Sequence, residues 1–196
     1  MGRTAREWLL YDGCYAHIFT RAIEKRKIFQ DNEDFCFFKS RMIVLKKEYV
    51  FKIFHYCLMQ THFHMVVQIG DVRKFSDAMK VLKKDYSYRY NKQHKRFGAV
   101  WRDRYKSKLI ENESYLYACG RYIENNPVEA GIVKKAIDWT HSSSRCYDQG
   151  VEDEVVDQYS LAAIDSSIMI EDKAFDRQKA IGSDWFQYQV LKKLKG

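Results

Sequence analysis

The sequence predicts an α+β fold, a ferredoxin-like split βαβ antiparallel sheet with helices on one face and a helical C-terminal appendage. The strand and helix patterns follow one another in the order β-α-β-β-α-β-α. Of the 196 residues, 46% are hydrophobic and 15% aromatic, which is enough for a packed core. One Pro and nine Gly exclude collagen-like, Pro-rich and linker-like chains. We therefore expect a domain over residues 1–147 and an acidic helical appendage over 148–196.

Alternating and periodic patterns define the first half of the sheet. Cys14–Arg21 is short and rich in aromatic and β-branched residues, which favours a strand. Acidic residues followed by apolar residues at three- and four-residue spacing predict a helix over about Asn32–Lys47. Val50–Met59 and His62–Ile69 are predicted strands, and the short Gln60-Thr61 connection makes them an antiparallel pair.

The same kinds of pattern predict the elements of the second half of the fold. A second helix is predicted from apolar residues three or four positions apart, namely Phe75, Met79, Leu82, Tyr86 and Tyr90. Tyr105–Ile110 is predicted to be a fourth strand. A third helix should run from Glu113 to about Asn125, with Asn112 as its N-cap and Pro127 limiting its extent. In the appendage, Asp172–Ala180 and Asp184–Leu194 have helical patterns.

Cysteine usage and hydropathy point to the cytoplasm. The five cysteines are scattered without a CxxC pair, which favours reduced thiols over a disulfide framework or a thiolate zinc site. No uncharged apolar stretch approaches the ~18 residues of a spanning helix. The N-terminus lacks the apolar region of a secretory signal. These features predict a soluble cytoplasmic protein with no membrane partner.

The charge is concentrated in the middle of the chain. The net charge is +8, and residues 72–108 hold thirteen basic and three acidic residues together with seven aromatics, whereas residues 148–196 are net acidic. A basic field attracts polyanions, and interleaved aromatic rings can stack on unpaired bases. This favours a single-stranded nucleic acid partner. The alternative is a solvated cationic helix face with core aromatics.

Two histidines stand a pleat apart in the third predicted strand. His62 and His64 project from the same face, because side chains at i and i+2 of a strand point the same way. Two such imidazoles can supply two nitrogen ligands to one divalent cation. Taken alone, the pattern also fits ordinary structural histidines.

The third helix brings a phenol and a carboxamide to one side. Tyr115, Cys119, Tyr122 and Asn126 recur at helical spacing, so that Tyr122 and Asn126 lie one turn apart. The tyrosines could simply be core residues of an amphipathic helix. Combined with the two histidines, another arrangement is possible. Asn126 would complete the ligand set, the cation would polarise a phosphate oxygen, and Tyr122 would attack the phosphorus.

Several strings make the pattern specific. These are His62–Val67 (HFHMVV), Gly98–Lys106 (GAVWRDRYK), Arg121–Val133 (RYIENNPVEAGIV) and Asp138–Ser144 (DWTHSSS). In this order and at these separations they resemble the HUH-type single-tyrosine transposases, in the branch of the REP-associated tyrosine transposases. The similarity spans about Tyr15–Tyr147.

The resemblance implies a metal-dependent enzyme of single-stranded DNA. His62, His64 and Asn126 would hold a divalent metal (Mg²⁺ or Mn²⁺), and Tyr122 would be the nucleophile. Such enzymes bind hairpin-bearing single strands, cut them through a 5′-phosphotyrosine link and free a 3′-OH. A second 3′-OH resolves the link, so no nucleotide triphosphate is needed, and the chain lacks a GxxxxGK[ST] loop. The resemblance implies a bacterial, nucleoid-associated protein, as monomer or homodimer.

A further set of residues is expected to contact DNA through cationic or aromatic side chains. It consists of Lys80, Lys83, Lys84, Trp101, Arg102, Arg104, Tyr105 and Arg121. For the arginines, ion pairs are an equal alternative, and for Trp101 a core position. The chain also departs from the family. Gln60-Thr61 stands where members often have Pro-Asn, and Glu124 would place a carboxylate beside the cation.

Two other functions remain open. A domesticated, non-catalytic protein could retain binding to a DNA or RNA hairpin without the catalytic activity. An RNA-binding module could use the same sheet topology, although the strands carry no RNP-like string.

Overall fold

The computed structural model describes residues 10–159, 164, 165, 167, 168, 170 and 179–195. Its strands are β1 (Tyr15–Arg21), β2 (Phe51–Met59), β3 (His62–Ile69), β4 (Lys106–Ile110) and β5 (Ala180–Ile181). Its helices are α1 (Asn32–Glu48), α2 (Val72–Gln93), α3 (Glu113–Glu129), α4 (Ser144–Gln149) and α5 (Asp184–Lys195).

The strands form one sheet in the order β2-β3-β1-β4-β5. The pairs β2–β3, β1–β3 and β1–β4 are antiparallel. This is the split βαβ arrangement, so the predicted α+β class is confirmed. The predicted all-antiparallel sheet gains one strand, because β5 pairs in parallel with β4. That strand comes from the appendage.

Helices cover both faces of the sheet, whereas the sequence predicted one. α1 and α2 lie on the expected face, over a core that includes Phe38, Phe63 and Tyr86. α3 packs on the opposite face, where its apolar residues join Val66 and Ile110 in a second cluster. The reason is the alternation of side chains along each strand. Val66 points away from the main core and joins the cluster that contains the apolar residues of α3.

Part of the appendage lies along the outer edge of β2. The Asp157 amide donates to the Ile53 carbonyl (2.7 Å), and the Asp157 carboxylate accepts from the Ile53 amide (2.9 Å). Buried Lys46 binds that carboxylate and the Val155 carbonyl, both at 3.0 Å. These bonds satisfy backbone groups that an edge strand would otherwise expose.

The two helices predicted in the appendage have different outcomes. α5 corresponds to the predicted Asp184–Leu194 segment. The predicted Asp172–Ala180 helix lies almost entirely outside the described residues, and Ala180 itself begins β5. No helix in the described part of the chain is both long and apolar enough to cross a membrane.

Candidate metal and nucleophile site

β3 places the two histidines of the predicted ligand pair side by side. The His62 and His64 rings have centroids 5.0 Å apart at an interplanar angle of 83°. Across the sheet, His62 pairs with Arg21 and His64 with Phe19. Both imidazoles share the strand face of Val66, which α3 covers.

Each imidazole is held through one of its nitrogens. His62 Nδ1 is hydrogen-bonded to Thr61 Oγ1 at 2.9 Å, and His64 Nδ1 to His17 Nε2 at 2.8 Å. The Nε2 atom of each ring is the remaining nitrogen. A metal-binding histidine characteristically uses one ring nitrogen for the metal and the other for such an orienting bond.

Burial keeps these rings neutral. Desolvation lowers the pKa of His62 to about 4, with the Arg21 charge adding to the effect. Desolvation also holds the pKa of His64 well below its ordinary value, helped by the neighbouring His17, His62, Arg21 and Lys108. Neutral imidazole is the form that binds metal, so both rings have the correct protonation state at neutral pH.

The Asn126-Pro127 pair explains why α3 continues beyond its predicted end. Pro127 has no N–H, so the Ile123 carbonyl loses the donor that would close the helix there. Asn126 Nδ2 donates to this carbonyl at 2.9 Å and replaces the missing bond. The helix therefore runs on to Glu129. The same bond fixes the carboxamide and leaves its oxygen as the atom that could meet a cation.

Tyr122 lies on the same side of α3 as Asn126. It is partly buried and packs against the cluster that contains Val66, Cys119 and Ile123. Val66 follows His64 by one pleat on the same face, so Tyr122 packs in the layer between α3 and the strand face that carries both histidines. By helical spacing, Asn126 lies one turn from Tyr122.

The residues present fit a divalent cation. Imidazole nitrogen suits first-row transition cations and a carboxamide oxygen suits Mg²⁺ or Mn²⁺, so that Mn²⁺ is compatible with both kinds of ligand. Among the described residues there is no group of three or more His, Cys, Asp and Glu side chains suited to a metal. Any cation here would therefore depend on the amide as its third ligand from the protein.

Two of the arginines expected to bind DNA reach this end of the sheet. The Arg102 amide donates to the Arg21 carbonyl at 3.0 Å, and Trp101 forms a bridge with Ala22. Arg102 and Arg104 are exposed. Because Arg21 pairs with His62, the backbone of Arg102 lies at the sheet end that carries His62.

The lysines lie elsewhere. They belong to α2, on the sheet face opposite α3. Lys80 and Lys84 are exposed. Lys83 is turned back towards the protein, where its ammonium donates to the Asp103 carbonyl and sits 5.7 Å from the Trp101 ring centre. Any DNA bound by α2 would thus lie on the far side of the sheet from His62.

Two aromatic residues expected to stack on bases are core residues. Trp101 is buried among Phe38, Phe63 and Tyr86, and its Nε1 donates to the Lys83 carbonyl at 3.1 Å. Tyr105 is buried as well. The stacking predicted for both is therefore corrected, because a ring enclosed by side chains cannot take a base on its face.

Arg121 and Glu124 are engaged with each other on the far flank of α3. Arg121 donates to Glu124 at 2.9 Å and to Asp148 at 3.0 Å. Glu124 is fully buried against His55 of β2, at 2.8 Å. The ion-pair alternative thus describes Arg121. The expectation of a carboxylate beside the cation is corrected, because Glu124 points to the outer strand.

Sequence reasoning missed three residues of this layer. His17 of β1 orients His64, and Arg21 of β1 pairs with His62. Buried Lys108 of β4 pairs with His17. The alternation of residues 17, 19 and 21 was visible, but only the strand register shows which face of which neighbour they meet.

Comparison with known proteins identifies the family. The family model described as "Transposase IS200 like" matches residues 10–126, more than half of the chain. The chain belongs to the IS200-like transposase family. The matched region contains His62, His64, Tyr122 and Asn126.

One solved structure shows the same fold. A REP-associated tyrosine transposase bound to a REP hairpin is similar with a TM-score of 0.61 and 18% identity, over 81% of this chain and 94% of that chain. A putative transposase from Deinococcus radiodurans R1 has a TM-score of 0.42 and 18% identity, over 64% and 95%. No match was found among curated proteins.

Proposed function

We propose that this chain is a divalent-metal-dependent single-stranded DNA endonuclease and strand transferase that uses Tyr122 as its nucleophile. The observation that carries the proposal is the shared layer. Two oriented, neutral imidazoles on β3 face the helix that bears Tyr122 and Asn126, in a chain of the IS200-like transposase family. His62, His64 and the Asn126 oxygen are the proposed ligands of Mg²⁺ or Mn²⁺.

The proposed reaction exchanges one phosphate ester for another. The cation, when bound, polarises a non-bridging oxygen of the scissile phosphate. The Tyr122 oxygen gives up its proton and bonds to phosphorus, while the bond to the 3′ oxygen breaks and that oxygen leaves as a 3′-OH. A second 3′-OH then attacks the phosphotyrosine and releases the phenol. Ester replaces ester in both steps, so no nucleotide triphosphate is consumed.

The proposed substrate is a hairpin-bearing single strand in the bacterial cytosol, at the nucleoid. The similar transposase of known structure is bound to a REP hairpin. In this chain, exposed Arg102 and Arg104 lie at the sheet end that carries His62, where they can contact the backbone phosphates of a flanking single strand. Lys80 and Lys84 offer a second cationic surface on α2.

Covalent capture of DNA tests the proposal. A 3′-labelled hairpin with a single-stranded flank is incubated with Mn²⁺ or Mg²⁺, and we expect a denaturation-resistant adduct that carries the label, because the proposed link joins Tyr122 to the 5′ phosphate of the fragment that retains the 3′ end. Tyr122→Phe should abolish the adduct, a loss of more than about 10³-fold, because a phenyl ring has no nucleophile. Tyr115→Phe is the matched control, since Tyr115 packs against the same cluster.

Two results would overturn the mechanism. Cleavage by Tyr122→Phe at the normal rate would exclude the phosphotyrosine. Salt-dependent hairpin binding by the wild type without cleavage, unaffected by His62→Ala, would indicate a domesticated binding protein instead. Competition between matched DNA and RNA hairpins then separates the two nucleic acids.

A further inference from the structure

Glu124 is a fully buried carboxylate of α3 that is hydrogen-bonded both to other elements and within its own helix. Its Oε1 lies 2.8 Å from His55 Nδ1 of β2 and accepts from Ser143 Oγ at 2.6 Å. Its Oε2 accepts from Arg121 at 2.9 Å. A buried charge with this many donors is strongly held, because removing any donor leaves charge uncompensated in a low-dielectric setting.

His55 also contacts α4 and the chain that follows α4. Its Nε2 is hydrogen-bonded to the Tyr159 hydroxyl at 2.7 Å, and its ring stacks on Tyr147 with centroids 4.3 Å apart. Gly120 of α3 lies against the same ring, and a Cβ there would come within 2.3 Å of it. The imidazole is thus enclosed by the helix, by α4 and by the segment that follows.

A β-bulge explains how His55 reaches this position. The register of β2 against β3 shifts between Ile53 and His55. Phe54 joins the cluster under α3, and the next residue, His55, contacts Glu124 of the same helix. A bulge places two consecutive side chains on one face, which a regular strand cannot do.

The same contacts are reinforced at the surface. Arg121 bridges Glu124 to Asp148, with a 3.0 Å contact to the second carboxylate. We call the set of Glu124, His55, Ser143, Arg121 and Asp148 the α3 latch.

We propose that the α3 latch holds the nucleophile helix in its working rotation, with Glu124 and His55 as positioning residues for Tyr122. This inference rests on the proposed function. Glu124 follows Tyr122 by two residues and precedes Asn126 by two, so it lies on the opposite flank of the helix. Fixing that flank against β2 sets the rotation of α3, and with it the direction of the phenol and the carboxamide.

The proposal also gives the start of the appendage a role. Asp148 and Tyr159 belong to the acidic segment after the predicted domain, and both engage latch residues. The chain downstream of the nucleophile helix therefore returns to hold that helix in place.

The test compares Glu124→Leu with Glu129→Leu, the same change at an exposed position of the same helix, where Glu129 accepts from Asn125 of that helix. Ser143→Ala is a milder variant that removes a single donor from Glu124. Glu124→Gln is the conservative variant, since its amide oxygen can still accept from Ser143. All are studied well below the lowest melting temperature.

Two readouts decide the outcome. Amide hydrogen exchange measured by mass spectrometry should accelerate roughly 10- to 100-fold within α3 for Glu124→Leu, less for Ser143→Ala, and not for Glu129→Leu. The single-turnover rate of adduct formation on saturating labelled hairpin should fall at least about 10-fold for Glu124→Leu. The hairpin Kd should stay within about twofold, and Glu124→Gln should recover most of the rate.

Unchanged exchange in α3 for Glu124→Leu would overturn the latch, as would faster exchange with an unchanged adduct rate. Absence of any adduct from the wild type would instead overturn the proposed function, and hydrogen exchange would still decide whether the latch holds the helix.

Discussion

The two faces of the sheet are built from different chemistry. On the face of α1 and α2, buried aromatic residues interlock, with Phe38 in ring contact with Phe29, Phe63, Tyr86 and Trp101. On the face of α3, a small apolar cluster is mixed with buried polar groups, namely His17, His55, His64, Lys108 and Glu124.

This difference separates stability from chemistry. Apolar burial stabilises a fold in proportion to area, whereas a buried polar group costs free energy unless it is hydrogen-bonded. The α3 face keeps its histidines by pairing them, His17 with His64 and His55 with Glu124. We infer that the α1–α2 face supplies most of the stability and that the α3 face holds the groups that could react.

The largest effect on stability is expected from a change in the aromatic core. Phe38→Ala should lower the free energy of unfolding by about 3–5 kcal/mol, because it removes a fully buried ring and leaves a cavity. Urea denaturation measures the loss. Phe97→Ala, at a ring that is 95% exposed, is the control and should stay within about 0.5 kcal/mol. A loss below about 1 kcal/mol for Phe38→Ala would contradict the division of roles between the faces.

A smaller effect, on metal affinity, is expected from adjacent residues of β1 that point to opposite faces. His17→Leu should weaken Mn²⁺ binding about 10-fold, because His64 loses the partner that orients its ring. Electron paramagnetic resonance of free Mn²⁺ gives the dissociation constant. Ile18→Val, on the core face, should cost about 1 kcal/mol of stability and leave Mn²⁺ affinity unchanged. If both variants shifted Mn²⁺ affinity equally, the two faces would not be separable.

The smallest effect concerns pH and a histidine at the margin of the core face. The His141 ring stacks on Phe35 at 3.7 Å, and desolvation, helped by the Lys39 charge, lowers its pKa to about 4. Between pH 6.5 and pH 4 the unfolded chain takes up a proton at His141 that the folded chain does not. The contribution of His141 to the free energy of unfolding is therefore fully present above pH 6.5 and is lost as the pH falls towards 4.

His141→Phe should remove this part of the pH dependence. Solvent screening at the half-buried ring limits the effect to about 1 kcal/mol. Melting temperatures measured with a chelator at pH 7 and pH 5 report it. An equal drop in both proteins would show that the acid sensitivity arises at other groups.

The local elements were predictable because their signals are local. The His62–Ile69 strand was predicted with the bounds that the structure shows, and α1 within one residue, since alternation and an acidic helix start depend only on neighbours in sequence. The end of α3 was not predicted. The rule that proline limits a helix is also local, but the Asn126 amide replaces the lost bond.

The candidate site was half predictable for the same reason. Spacing alone paired His62 with His64 and Tyr122 with Asn126. The role of His17 depends on strand register, and the burial of Trp101 depends on where a loop returns, neither of which spacing contains.

The amino-acid sequence by itself determined the element types, the α+β class, the two pairs of candidate reactive residues and the family resemblance, because each of these follows from short-range pattern. Only the tertiary structure decided that α3 covers the face opposite α1 and α2, that Glu124 turns towards β2, and which histidine orients which. The histidine pair and the Glu124 contact join residues 47 and 69 positions apart. Such contacts form only when the whole sheet has assembled.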